Sequence, residues 1–164
     1  MGLFRLNSYL TSGKMIRIWL RILPLLLLIG SCILLLEGLP ILTEPVIEGI
    51  GLPFGTLIAW VGITMVPFSI IIGIRLIRKP TSQVYRFYKW VFFVFTLLGV
   101  AWGGISYLLA GNWTYTFSND EGFRGSEQAF HIFLIYTAFV ISITLLTFVI
   151  FGLHHLIINQ KRKR

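Results

Sequence analysis

The residues best suited to chemistry lie just before the last apolar stretch of the sequence. Glu127 and His131 are four residues apart, so a helix beginning near Ser126 would place their side chains on one face. Asp120 and Glu121 precede them closely. A carboxylate beside an imidazole can bind a divalent cation or relay a proton. These residues form a candidate outer cation or proton site, although the helix dipole alone also favours acids near a helix N-terminus.

Two further histidines, His154 and His155, raise the question of haem binding. A haem held by two histidines needs ligands from facing elements at similar depth, whereas His131 precedes the last apolar stretch and the other two end it. One copy of the chain therefore cannot provide both histidine ligands of a haem. A haem shared between copies of the chain is the one haem-binding arrangement that stays open. We expect no cofactor, and the sequence does not identify a metal.

The single cysteine ends a pattern that is typical of bacterial lipoprotein signals, Ile29-Gly30-Ser31-Cys32. Cleavage there would make Cys32 an acylated N-terminus. The basic segment before this pattern is longer than usual, however, and the apolar stretch continues through "ILLLEG" beyond the cysteine. We therefore expect the segment to remain as a helix, while acylation of Cys32 stays open. A single cysteine also excludes an intrachain disulfide.

The elements that position these residues are predicted to be membrane helices. Hydrophobic residues make up 56% of the 164 residues and charged residues only 12%, against about 25% charged residues in soluble globular proteins. A helix needs about 20 residues to cross a bilayer. Four apolar stretches are near that length, namely residues 18–36, 52–74, 90–109 and 130–158. The sequence thus predicts an all-α integral membrane four-helix bundle, formed as a single domain by residues 1–164.

The distribution of basic residues predicts the orientation of the bundle. All of the 14 Lys and Arg residues except Arg124 fall before or at the start of the first helix, between the second and third, or after the fourth. Because Lys and Arg are enriched in cytoplasmic loops, both termini are expected in the cytoplasm, in a multi-pass protein of the cell inner membrane. The net charge of +8 is divided among three clusters between apolar stretches. We therefore expect anionic lipid headgroups at the cytoplasmic face, and not nucleic acid, as the partner of these clusters.

The first outer loop, "EGLPILTEPVIEGIGLPFG", is too apolar for an ordinary solvated loop. Glu44 and Glu48 are four residues apart, so a helical turn starting around Pro45 would put both acids on one face and aliphatic residues on another. This pattern predicts a short interfacial helix at the bilayer surface. Its acids either attract cations or a basic partner, or simply remain hydrated.

Small residues recur at helical spacing in the second, third and fourth predicted helices. Gly99 and Gly103 form a GxxxG pair, and such stripes allow helix backbones to approach closely. We expect a packing seam between the third and fourth helices, and Pro67 is expected to kink the second helix and free a carbonyl group. The candidate packing residues are Gly55, Ala59, Gly62, Gly99, Gly103, Ser106, Thr137, Thr144 and Thr147.

The predicted spans contain no ionisable residue away from their ends, which disfavours an ion path or a proton relay. The favoured function is therefore that of a small polytopic, non-enzymatic accessory or scaffold subunit, which packs against other membrane subunits or against itself. The alternative is a small transporter, channel or ion-binding subunit that uses the acidic outer face. An enzyme is less favoured, and its site would have to lie in the outer loops, chiefly at Asp120, Glu121, Glu127 and His131.

Overall fold

The computed structural model of the protein describes residues 2–47, 49–114, 117 and 122–162, and most of them are helical. The α-helices are α1 (Gly2–Glu37), α2 (Phe54–Gly73), α3 (Arg75–Arg78), α4 (Gln83–Ala110) and α5 (Glu127–Arg162). Between α1 and α2 lie a 3₁₀ helix (Pro40–Thr43) and two short strands, β1 (Pro45–Ile47) and β2 (Leu52–Pro53). The architecture is therefore the helical one that the sequence predicts, with the addition of one small sheet.

Three of the helices are long and apolar enough to cross a membrane. They are α2, α4 and residues Glu127–Ile158 of α5. Among the residues described in detail, α1 also contains a shorter apolar stretch, Ile22–Glu37. These properties indicate a multi-pass membrane protein, while a fourth span in α1 and the cytoplasmic location of both termini stay predictions.

Side-chain caps and glycine define the ends of α4 and the start of α5. The Ser82 hydroxyl accepts a hydrogen bond from the backbone N–H of Tyr85 at 3.4 Å, and Ser126 caps α5 in the same way through Ala129. Gly111 ends α4 in the left-handed conformation, with φ of 75°. Because of its cap, α4 begins seven residues before the predicted span and extends into the basic segment.

The segment between α1 and α2 corrects the predicted interfacial helix. β1 and β2 pair antiparallel, and the Phe54 N–H donates to the Glu44 carbonyl at 2.9 Å. Pro45 favours extended backbone, and Gly51 turns the chain with φ of +66°. A helix starting at Pro45 is therefore wrong, and the helical turn of this segment lies earlier, at Pro40–Thr43. The side chain of Glu44 is exposed, and Glu48 lies outside the described residues.

α2 is the central helix, because it contacts α1, α4 and α5, while α4 also contacts α5. Buried residues recur along α4 at spacings that mostly alternate between three and four residues. This is the pattern of helices that pack nearly parallel or antiparallel to a neighbour. The first half of this buried face is aromatic, and the second half consists of small residues apart from Trp102. The buried residues are Tyr85, Tyr88, Phe92, Phe95, Gly99, Trp102, Gly103, Ser106 and Ala110.

The bundle has two distinct ends. We call the end formed by α3, the start of α4 and the end of α5 the basic end. The opposite end, which carries residues 38–53 and 111–126 as far as they are described, is called the loop end. A hydrophobic core at the basic end joins α3, α4 and α5 through Ile77, Tyr85, Tyr88, Phe92 and Phe151.

Candidate functional site

The GxxxG pair of α4 lies against α2. A Cβ atom at Gly99 would stand 2.9 Å from the Thr64 Cα atom, and one at Gly103 would overlap the Trp60 ring. Neither position has room for a side chain. The expectation that these two glycines pair with the fourth predicted helix is therefore wrong, because the indole ring of α2 occupies the space over Gly103.

Trp60 stabilises the contact between α2 and α4 through hydrogen bonds as well as through the packing of its ring. Its indole N–H donates to the carbonyls of Gly99 and Val100, at 3.1 and 2.9 Å. In an apolar environment an indole N–H needs an acceptor, so these bonds hold α2 against α4. Sequence reasoning missed Trp60. The available signal was a tryptophan within an uncharged span, opposite a helix that carries a groove of glycines.

The same contact accommodates the proline of α2. Pro67 is buried and has no N–H, so the Ile63 carbonyl loses its usual helical donor. That carbonyl oxygen lies 3.4 Å from the position of a Cβ on Gly99. The Cα–H of a glycine can approach a carbonyl closely and interact weakly with it. α4 therefore supplies a neighbour for the carbonyl that Pro67 frees.

α4 and α5 are joined by aromatic donors. The Trp102 indole N–H donates to the Thr137 hydroxyl at 2.8 Å, and that hydroxyl donates to the Phe133 carbonyl. The Tyr136 hydroxyl donates to the Leu98 carbonyl at 2.6 Å. Thr137, a predicted packing residue, thus lies directly in the contact between these helices.

The other predicted packing residues are distributed over several contacts. Gly62 lies against Ser31 of α1, where a Cβ would stand 3.2 Å from the Ser31 Cβ, and Gly55 lies against the Phe117 ring. Ser106 and Thr144 are fully buried, and Ala59 and Thr147 are half-buried. In the part of the chain that the structure describes, the Ser106 hydroxyl has no hydrogen-bond partner. The predicted packing residues therefore lie in more than one contact, with Gly62 between α2 and α1 and Thr137 between α4 and α5.

The described part of the acidic segment before and at the start of α5 contains Glu127 and His131. Glu127 and His131 are both exposed, and His131 Nδ1 donates to the Glu127 backbone carbonyl at 2.8 Å. The imidazole therefore bonds the main chain of Glu127 and not its carboxylate. Asp120 and Glu121 lie outside the described residues. Among the residues that are described, no group of three or more His, Cys, Asp or Glu side chains could hold a metal ion.

An aromatic stack closes the loop end between α2 and α4. Trp113 stacks on Tyr107 with ring centroids 4.6 Å apart, and on Trp60 at 6.2 Å. The Thr56 hydroxyl donates to the Trp113 carbonyl at 3.0 Å, and the Asn112 amide donates to the Gly122 carbonyl at the same distance. The described residues between α4 and α5 are thus held against the helices.

The histidines at the end of α5 pack into the basic end. The Tyr85 hydroxyl lies 3.2 Å from His155 Nδ1, and the His155 ring stacks on Phe151. His154 meets Tyr85 edge to face. Since His131 lies at the start of the same helix, the structure does not bring the three histidines together.

No known protein family, curated protein or solved structure matches this chain. Its function must therefore be inferred from the arrangement of its own residues. The clearest arrangement is the set of polar contacts that join α2, α4 and α5.

Proposed function

We propose that this protein is a non-enzymatic accessory or scaffold subunit of a membrane complex. The observation that carries the proposal is the use of polar side chains within the helices. The hydroxyls of five residues each donate to the carbonyl four residues earlier, namely Ser31, Thr64, Thr96, Thr137 and Thr144. Trp60, Trp102 and Tyr136 donate from one helix to another. The hydroxyls are thus satisfied within their own helices, and the three aromatic donors join neighbouring helices of the bundle.

Transport would require a different use of such groups. A transporter binds its substrate in a polar cavity near the bilayer midplane, often where helices are broken. Here α2, α4 and α5 each run without interruption across the length of a span. A groove of about 280 Å³ beside α2 and α4 is lined by Leu57, Trp60, Val61, Thr64, Met65 and Val100, which are mainly apolar. A structural role fits these surfaces better than a transport role.

The outward faces of α1 and α5 suit contact with other helices as well as with lipid. Leu36 of α1 is 87% exposed and Ile135 of α5 is 68% exposed. Aliphatic side chains at such positions favour the bilayer interior or the apolar face of another membrane helix. In this proposal the partners are other membrane subunits or a second copy of the chain. The basic end faces the cytoplasm of a multi-pass inner-membrane protein, according to the positive-inside rule.

Native mass spectrometry of protein extracted with its surrounding membrane into polymer nanodiscs tests this function. We expect an assembly of fixed stoichiometry, containing other membrane subunits or a second copy. A variant with Glu127→Gln and His131→Gln should form the same assembly, because neither side chain is part of the helix contacts. A chain recovered only as a monomer with lipid would contradict the proposal.

The alternative function, a small transporter, channel or ion-binding subunit, would use the exposed Glu127 and His131. Support for it is weaker, because His131 already donates to a backbone carbonyl. A dependence of ion flux on these two side chains would favour the alternative.

A further inference from the structure

We propose that the start of α4 binds one anionic phospholipid molecule, with its phosphate between Arg86 and Lys89 and its acyl chains along Trp90 and Phe93. This inference goes beyond the general attraction of a basic surface for anionic headgroups, because it assigns one lipid to one site. It does not depend on the accessory or scaffold role.

A cavity at the basic end has the composition that such a lipid requires. It has a volume of about 380 Å³ and is lined by Pro80, Arg86, Lys89, Trp90 and Phe93. Ligand sites typically measure about 300–1,000 Å³, so part of a lipid molecule can be accommodated. The four residues of α4 follow the helical spacing of three and four, and therefore share one face. This face is directed away from the core, since Trp90 is 61% and Phe93 45% exposed.

The order of the residues along α4 matches the order of groups in a phospholipid. Arg86 and Lys89 come first, towards the basic end, and Trp90 and Phe93 follow towards the apolar part of the helix. Arg86 and Phe93 are two turns apart, which is about 10 Å along the helix axis. A phosphate at the cations would therefore place the first part of an acyl chain beside the rings. Trp90 and Phe93 meet nearly perpendicular, with centroids 5.8 Å apart, and form an aromatic corner.

The stability of α4 does not explain why a cation occupies position 86. Arg86 is the fourth residue of α4, where the helix dipole still disfavours a cation, whereas Lys89 lies beyond the first turn. The first turn of α4, which the structure describes completely, contains no acidic residue that could offset the charge of Arg86. An anionic ligand would compensate the charges of both Arg86 and Lys89. The aromatic half of the cavity favours a lipid over a soluble phosphate, because a free phosphate has no apolar part to contact the rings of Trp90 and Phe93.

Neighbouring basic residues provide a matched control. Arg75 and Lys79 are exposed at the same basic end but do not line the cavity. Arg78 is unsuitable as a control, because its guanidinium donates to the Ile72 carbonyl at 2.8 Å near the end of α2. Arg75→Gln with Lys79→Gln removes the same charge as Arg86→Gln with Lys89→Gln.

The first test is a titration of the delipidated full-length protein with phosphatidylglycerol, followed by native mass spectrometry, with phosphatidylcholine as the neutral comparison. A basic residue near an anionic surface contributes a factor of about five in affinity, so loss of Arg86 and Lys89 should weaken phosphatidylglycerol binding roughly 25-fold. The Arg75→Gln, Lys79→Gln variant should bind with nearly wild-type affinity. Equal losses in both variants, or no loss in the first, would overturn the proposal.

A second test distinguishes a lipid from a soluble phosphate and locates the acyl chain. Excess inorganic phosphate should not displace bound phosphatidylglycerol. Phosphatidylglycerol with brominated acyl chains should quench part of the tryptophan fluorescence, and Trp90→Phe should remove that part. Displacement by inorganic phosphate would indicate a site for soluble phosphate. Unchanged quenching in Trp90→Phe would place the chains elsewhere, and either result would refute the proposal.

Discussion

Gly103 and Gly104 are adjacent in α4 but have opposite surroundings. A Cβ at Gly103 would overlap the Trp60 ring, whereas the described residues place no atom within 4 Å of the corresponding position at Gly104. The first glycine is required by close packing between α2 and α4. The second lies on the outward face, where a larger side chain meets only the surrounding medium.

Substituting each of these glycines with isoleucine separates packing from the intrinsic effect of losing a glycine. Gly103→Ile should lower the free energy of unfolding by about 1–3 kcal/mol, because overpacking forces the Trp60 ring away from its two carbonyl acceptors. Gly104→Ile should unfold close to the wild-type temperature. The measurement is thermal unfolding in mild detergent. If both variants unfold together with the wild type, close packing at Gly103 is not a source of stability.

The sequence identified Gly99 and Gly103 as small residues on one helical face, but it could not identify their neighbour. The spacing of small residues in the sequence indicates which face of a helix carries them. The choice of partner depends on complementary shape, here the ring of Trp60, which is 39 residues from Gly99 in the chain. The outer acids show the same limit, because the spacing of Glu127 and His131 cannot determine whether the imidazole bonds a carboxylate or a carbonyl.

At the scale of the helices and strands, the apolar stretches could be predicted from the sequence, but the residues at which the elements begin and end could not. Hydrophobicity located α2, α4 and α5, but α4 begins at Gln83 and not near residue 90, because a serine cap extends the helix beyond its apolar part. The segment at Pro45 forms a strand, since proline and the nearby glycines favour an extended chain and a turn. A spacing of four residues between two acids does not indicate a helix when the residues between them favour an extended backbone.

The contact between α4 and α5 can be measured through one side-chain pair. The Trp102 indole donates to the Thr137 hydroxyl at 2.8 Å. A double-mutant cycle with Trp102→Phe and Thr137→Val should give a coupling free energy of about 0.6 kcal/mol, the average for hydrogen bonds between membrane helices. Thermal unfolding of the four proteins provides the data. Strictly additive effects would show that the two residues do not stabilise the helix contact together.

At the scale of the whole molecule, the sequence predicts four spans, and the structure supports three long apolar helices with a shorter apolar stretch in α1. The remaining predicted span, residues 18–36, falls within α1, in which Ile22–Glu37 is the described apolar stretch. The orientation of the termini rests on the distribution of basic residues alone.

We propose that the whole bundle uses its polar side chains for cohesion and provides no path for ions. Ion flux into proteoliposomes that contain the purified protein tests it most directly, with pH-sensitive and cation-sensitive dyes inside the vesicles. The wild-type protein, and a Glu127→Gln, His131→Gln variant, should both give the flux of protein-free vesicles. A protein-dependent flux that disappears in the variant would contradict the account and establish the outer pair as part of an ion pathway.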